Sequence, residues 1–314
     1  MNSAKFVKSQ RTLLKSLRML CREGKISLAS FISGIITTVA ASILVLNLLS
    51  IGLDSFWNTL LCFSGSIVTY LIFCVIAYFV TTHDDFAIIK RATILGVCFG
   101  ISITTIIYAP SPWKRFGAYF LFMSTFHFTE YLTIAWVNPR TLSTDTFMLN
   151  HSVPYIMAAT TSWIEFLIEI FLWPSMKQSL ILLMFGILMC IAGEALRKLA
   201  IITASTNFNH IVQYNKNEGH SLVTHGVYRF MRHPSYAGWF WWSIGTQVIL
   251  ANPICVILYA IISWRFFYER ILVEEVTLVN FFLEKYVEYQ QRVPTGVPFV
   301  RGFIEGAYDE SSFR

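Results

Sequence analysis

"YAGWFWWSIGTQVILANPICVILYAIISWRFFYERI", residues 236–271, is a pair of apolar arms joined at Asn252-Pro253. Proline has no amide hydrogen and its ring disrupts a helix, so the pair marks a turn and the arms read as helices folded into a tight hairpin. A helix needs roughly 20 apolar residues to cross a bilayer. The arms, 236–251 and 254–271, stand at the short end of that range, so a crossing hairpin and a re-entrant one both fit their length. Toward the N-terminus, six longer runs meet the criterion outright: 26–49, 57–80, 92–108, 117–137, 154–173 and 180–204. Counting the hairpin as two, the chain is expected to be an all-α integral membrane protein with about eight transmembrane helices.

Composition excludes the alternatives. Hydrophobic residues make up 55% of 314, charged residues 13%, and mean hydropathy is +0.57, far too apolar for a soluble domain. The net charge of +6 suits loops facing anionic headgroups better than a nucleic-acid partner. The six cysteines lie mostly inside apolar runs without paired spacing, so neither a disulfide framework nor a zinc site is indicated. No signal peptide is expected, because the N-terminus is polar and basic and the first apolar run is long enough to stay in the bilayer.

Lysine and arginine set the orientation. Lys5, Lys8, Arg11, Lys15, Arg18, Arg22 and Lys25 precede the first run, whereas the next connection, 50–56, has none. Both termini are therefore expected in the cytosol, with the loops around Lys90-Arg91, Arg140 and residues 205–235. Lys114-Arg115 and Lys177 fall on the opposite side, against the rule. The expected organisation is a basic cytosolic segment 1–25, in which residues 13–22 read either as a surface-lying amphipathic helix or as solvated tail, then scaffold spans over 26–173. A functional region 174–314 follows, with polar loop 205–235, hairpin 236–271 and a cytosolic tail.

Polar groups gather at one face. Between "NFNHIVQYNKNEGHSLVTHGVYRFMRHPSY" (207–236) and "YERILVEE" (268–275) the chain offers histidines, tyrosines, Gln213 and the Glu274-Glu275 pair, a mixture of donors and acceptors. There is no zinc-ligand spacing, phosphate-binding glycine loop or nucleophile elbow, so the pattern points to a zwitterionic small molecule. Pro234 fixes the backbone after His233 into a rigid bend that aims side chains at the start of a span. His127 with Glu130, and Glu165 with Glu169, share helix faces and read as polar locks between helices. Glu194 and Arg197 read equally as an ion pair or as part of a site. Trp239, Phe240, Trp241, Trp242, Trp264, Phe266 and Phe267 read as an interfacial aromatic belt.

"HSLVTHGVYRFMRHPSYAGW" (220–239), followed by "WRFFYERILVEE" (264–275), resembles the membrane methyltransferases that use S-adenosylmethionine, a group that includes phospholipid methyltransferases. "STNFNHIVQ" (205–213), "SIGTQV" (243–248), "NPIC" (252–255) and "YQQRVPTGVPF" (289–299) are similar, more narrowly, to the eukaryotic isoprenylcysteine carboxyl methyltransferase family. That resemblance implies S-adenosylmethionine-dependent methyl esterification of the C-terminal α-carboxylate of prenylated cysteine in CaaX proteins, at the endoplasmic reticulum. The charge-based topology puts the active site on the cytosolic side, and partitioning of the prenyl chain into the bilayer has the lipid entering sideways. The resemblance also implies that residues 205–235 are a cofactor loop. The cofactor set it implies is Gln213, His220, Ser221, Leu222, Val223, Tyr228, His233, Pro234, Ser235, Tyr236 and Glu274. Glu274 is preferred over Glu275 because it lies four residues beyond Arg270 on one helix face. Arg270, and after it Arg197, are the candidates to hold the substrate carboxylate, since a guanidinium meets a carboxylate as a fork. A phospholipid N-methyltransferase, a membrane sterol reductase using a nicotinamide cofactor and a transporter are the alternatives.

Overall fold

The computed structural model describes residues 20–49, 55–149, 153–216 and 218–303. Among these there are nine α-helices and no strands. Each of the eight expected apolar runs lies on a helix. Four helical stretches among the described residues are long and apolar enough to cross a membrane: Arg22–Val45, His83–Tyr108, Tyr155–Leu172 and Leu180–Asn207. The expected surface-lying segment 13–22 falls outside the described residues up to 19. The chain forms two compact units, Met1–Asn150 and His151–Arg314.

The first unit holds α1 (Arg22–Leu49), α2 (Ser55–Val80), α3 (His83–Tyr108) and α4 (Ser111–Val137). Helices α1 and α3 touch backbone to backbone: a Cβ added at Gly34 would stand 2.6 Å from the Thr93 carbonyl oxygen. Small residues allow such an approach where no water drives helices together. The pair is fixed at one end by Arg22, whose Nη1 and Nη2 donate to the two carboxylate oxygens of Asp85 at 3.0 and 2.6 Å. Asp85 lies in the first turn of α3, where a negative charge also complements the helix dipole. Phe31 of α1 stacks on Phe128 of α4 with ring centres 3.7 Å apart. On α4, His127 Nδ1 lies 2.9 Å from the Phe147 carbonyl oxygen and Glu130 is buried, so both act inside the unit. The outer part of α2 exposes Val68, Leu71, Ile72, Val75, Ile76 and Phe79, a surface that only lipid solvates well.

The second unit holds α5 (Val153–Leu172), α6 (Leu180–Ala204), α7 (Pro234–Leu250), α8 (Pro253–Phe282) and α9 (Glu284–Arg292). Helices α6 and α7 meet along glycines: a Cβ at Gly193 would lie 2.6 Å from the Gly238 carbonyl oxygen, and one at Gly238 would lie 2.6 Å from the Gly193 carbonyl oxygen. The hairpin is as expected at its turn, where α7 ends on Ala251 in the left-handed region and α8 opens on Pro253. Its length differs. Helix α8 runs eleven residues past 271, because the charges that suggested a membrane boundary there are absorbed by the site described below.

Three side chains close the turn. Lys177 is fully buried and donates to Glu169 Oε2 at 2.5 Å, to the Leu250 and Ala251 carbonyls at 2.9 and 3.0 Å, and to Asn252 Oδ1 at 2.9 Å. Glu165 accepts from the amides of Ile254 and Cys255, both at 2.7 Å. A cation thus caps the carbonyl end of α7 and an anion caps the amide end of α8, each complementing a helix dipole. Glu165 and Glu169 lock helices as their spacing suggested, and Lys177, expected on the side opposite to the charge rule, is buried inside the protein. The aromatic belt is a correction: Phe240, Trp242 and Phe267 are buried, and of the seven side chains only Trp241 and Phe266 are exposed. Phe240 and Phe267 pack with Trp239 and Trp264 in the core of the hairpin, while Trp242 faces Gly193 of α6.

Candidate functional site

At the end of the hairpin away from its turn, the α7 start, the α8 end, α9 and the 205–225 loop line an open cleft. Gln213, His220, Ser221, Leu222, Val223, Tyr228, His233, Pro234, Ser235, Tyr236 and Glu274 all line it. One wall is the bend at His233, whose backbone (φ −122°, ψ 59°) is not helical, with Pro234 opening α7.

Tyr236 is the node. Its ring stacks on His233 with centres 5.5 Å apart and on Phe267 at 5.2 Å. Its hydroxyl donates to Glu274 and accepts from Arg270 Nε at 3.0 Å. Arg270 Nη2 donates to the His210 carbonyl at 2.6 Å, and among the described residues Nη1 has no hydrogen-bond partner. Arg270 therefore stands behind Tyr236 with one edge of its fork uncommitted. Arg197 is buried on α6; its Nη1 donates to Ser235 Oγ at 2.7 Å, and its guanidinium lies 4.8 Å from the Trp239 ring centre. It braces the first turn of α7 from below the cleft.

The adjacent glutamates part company. Glu275 is fully buried, and its Oε1 accepts from Arg232 Nε at 2.7 Å, His233 Nε2 at 3.0 Å and the Tyr286 hydroxyl at 3.2 Å. Its Oε2 accepts from Gln290 Nε2 at 3.0 Å and the Phe303 amide at 2.8 Å. Burial alone would raise this carboxyl, but the hydrogen bonds and charges of His233 and Arg232 outweigh it and hold it at about 2. Arg232 is equally committed, donating through Nη1 to the Gln290 and Val293 carbonyls and through Nη2 to that of Arg301. His233 lines the cleft yet is anchored from behind by Glu275, which makes it a wall held in place rather than a free donor.

The loop covers the cleft by specific ties. The Ser221 amide donates to Asn207 Oδ1 at 2.9 Å, and Lys216 donates to the Phe281 carbonyl at 2.8 Å while lying over the Phe282 ring. His220 packs edge-on against both phenylalanines, and burial, followed by the Lys216 charge, lowers its pKa. Tyr289 donates to the Tyr228 carbonyl at 2.5 Å, and burial pushes its own phenol up to about 12.

Sequence reasoning missed part of the lining. Thr277, Leu278, Phe281 and Phe282 belong to the cleft, as do Tyr286 and Tyr289 on α9 and Asn207 to Asn209 on the loop. The first four follow Glu274 at intervals of three, four, seven and eight. They were legible as one helix face, had α8 not been ended at 271.

Fold and cleft together define a class: a polytopic helical membrane protein with a polar cleft at one end of a helical hairpin. The profile of the isoprenylcysteine carboxyl methyltransferase family matches residues 185–280. A protein-S-isoprenylcysteine O-methyltransferase from Xenopus laevis is 46% identical over 90% of this chain and 96% of its own length. One from Homo sapiens is 46% identical over 89% and 94%. A solved structure of a eukaryotic intramembrane Ras methyltransferase, an isoprenylcysteine carboxyl methyltransferase, superimposes with a TM-score of 0.85 at 44% identity, covering 91% of this chain and all of that one. The chain belongs to the isoprenylcysteine carboxyl methyltransferase family. It is a methyltransferase and an integral membrane enzyme, so a methyl donor belongs to its chemistry.

Proposed function

We propose that the chain uses S-adenosylmethionine to esterify the α-carboxylate of prenylated cysteine at the C-terminus of CaaX proteins. The eleven-residue cofactor set converging on one cleft beside Arg270 is the observation that carries this reading. The donor set fits such a molecule: Glu274 for an ammonium or ribose hydroxyls, His220, Gln213 and Ser221 for polar ends, and Tyr228, Leu222 and Val223 around a purine. When bound, this cofactor supplies an electrophilic methyl group. An α-carboxyl with a pKa of ~3.5 is already ionised at neutral pH. The chain therefore needs no general base; its residues must desolvate the carboxylate and aim it. Arg270 takes the carboxylate on its uncommitted edge, and Arg197 holds the α7 turn that carries Ser235 and Tyr236. Eight helices cross the membrane of the endoplasmic reticulum, with both termini and the cleft on the cytosolic side.

Incubating the purified protein with methyl-labelled S-adenosylmethionine and a prenylcysteine should yield a base-labile methyl ester. Absence of that ester from a folded protein would overturn the reading. The lipid partitions into the bilayer with ~0.8 kcal/mol per buried CH₂, so it enters sideways between helices of the second unit while the cofactor arrives from water. An amine-blocked farnesylcysteine should thus be methylated and the same compound without its prenyl chain should not. Comparable turnover of the two would remove lateral entry. Glu274→Gln keeps an acceptor for Tyr236 but loses the charge. It should weaken cofactor binding by ~10–100-fold, the worth of one charged hydrogen bond, with the melting temperature unchanged.

A further inference from the structure

Among the described residues no large apolar side chain is more exposed than Phe299, at 95%. Its backbone has φ 62°, the left-handed region where a Cβ crowds the next carbonyl. The loop that holds it there is firmly built. Val297 and Val300, on either side, turn inward and pack with Phe240, Ile244 and Phe267 in the core of the hairpin. Thr295 Oγ1 donates to the Val300 carbonyl at 2.6 Å, and Trp264 Nε1 donates to the Pro298 carbonyl at 2.7 Å. Phe299 is thus presented outward by a fixed loop.

Where it is presented follows from α8. Trp264 shares a stripe at helical spacing with Ile257 and Ile261, which are exposed and, in the eight-span topology proposed above, face the lipid, and with Tyr268, on which it stacks at 5.3 Å. Just there the exposed surface of α8 changes character: Arg265 and Glu269 form an outward-facing pair 2.9 Å apart. Apolar surface giving way to charges, with Trp and Tyr at the boundary, marks the level of the membrane interface. Arg301, exposed two residues beyond Phe299, adds the cation that anionic headgroups favour.

We propose that Phe299 is a lipid anchor, inserted among the acyl chains at the interfacial level of the leaflet beside α8, so that the expected cytosolic tail returns to the membrane at residues 298–299. The anchor is continuous with the lipid-facing stripe of α8 through the Trp264 to Pro298 hydrogen bond. Segment 293–303 also supplies the Val293 and Arg301 carbonyls to Arg232 and the Phe303 amide to Glu275. Lipid contact at Phe299 therefore ties the buried support of the cleft to the bilayer.

The test places a nitroxide at Phe299→Cys in the full chain, in phosphatidylcholine and phosphatidylserine nanodiscs, in a background with the native cysteines replaced and methyl transfer retained. Glu288→Cys, exposed on α9, is the aqueous reference. The ratio of collisions with oxygen to collisions with a water-soluble nickel chelate should be several-fold higher at 299 than at 288. Equal ratios would overturn the anchor. So would a label shielded from both, which would mean that a protein covers the site. Should the cysteine-free background fail, Phe299→Trp in the native chain should gain emission quenched by lipids brominated near the glycerol and not by aqueous iodide; the reverse pattern would equally overturn it.

Discussion

Arg270→Lys should lower methyl transfer to a prenylcysteine by ~100-fold or more, about 2.7 kcal/mol of transition-state stabilisation, while cofactor affinity shifts less than about threefold. The side chain does three things at once. It donates to the Tyr236 hydroxyl, it donates to the His210 carbonyl, and in the function proposed above its Nη1 takes the substrate carboxylate. An ammonium retains the charge but has no planar fork to serve the three directions together. Steady-state assays with varied prenylcysteine and separate binding calorimetry with the cofactor distinguish the outcomes. Equal losses for lysine and alanine, with cofactor binding gone as well, would make the arginine a structural element only.

Glu275→Ala should destabilise the protein by about 3–5 kcal/mol, the cost of leaving the partner of a buried ion pair uncompensated. Arg232 would keep its three carbonyls but lose its counter-charge, Tyr286 and the Phe303 amide would lose their acceptor, and Gln290 would lose one of its two. The pH dependence has a definite sign. The folded carboxyl sits at about 2, below its ordinary 4.5, so its stabilisation is present above the ordinary value and is lost as pH falls toward 2. Thermal unfolding of wild type and variant across that acid range should therefore converge at the low end. A variant as stable as wild type at neutral pH would contradict this account of the pair.

The fold was legible because apolar length and proline are local signals. The bilayer demands helices from any long apolar run, and Asn252-Pro253 announces its own turn. The cleft was legible to the extent that its residues cluster in sequence: 220–236 contributes most of one wall. The preference for Glu274 over Glu275 rested on spacing from Arg270, and the geometry places Glu274 beside Tyr236 in the cleft and Glu275 in the core. Other things were illegible for a physical reason. Whether Trp242 or Trp241 faces inward depends on which side of α7 meets α6, and that is set by Gly238 and Gly193 far apart in the chain. The commitments of Arg232 are made to carbonyls 58 to 69 residues away, which carry no side-chain signature at all.

Lys177 and Glu165 bear on the order in which the protein is made. Of the four acceptors around the Lys177 ammonium, only Glu169 precedes it in the chain; the Leu250 and Ala251 carbonyls and Asn252 Oδ1 are made later. The socket that receives the Asn252 turn is synthesised first, on α5 and the bend after it, and the hairpin that fills it comes later. Chain order therefore doubles as an assembly sequence. A permuted gene that delivers α7 and α8 ahead of α5 should insert them poorly, because the carbonyls of Leu250 and Ala251 and the amides of Ile254 and Cys255 would meet hydrocarbon before their partners exist.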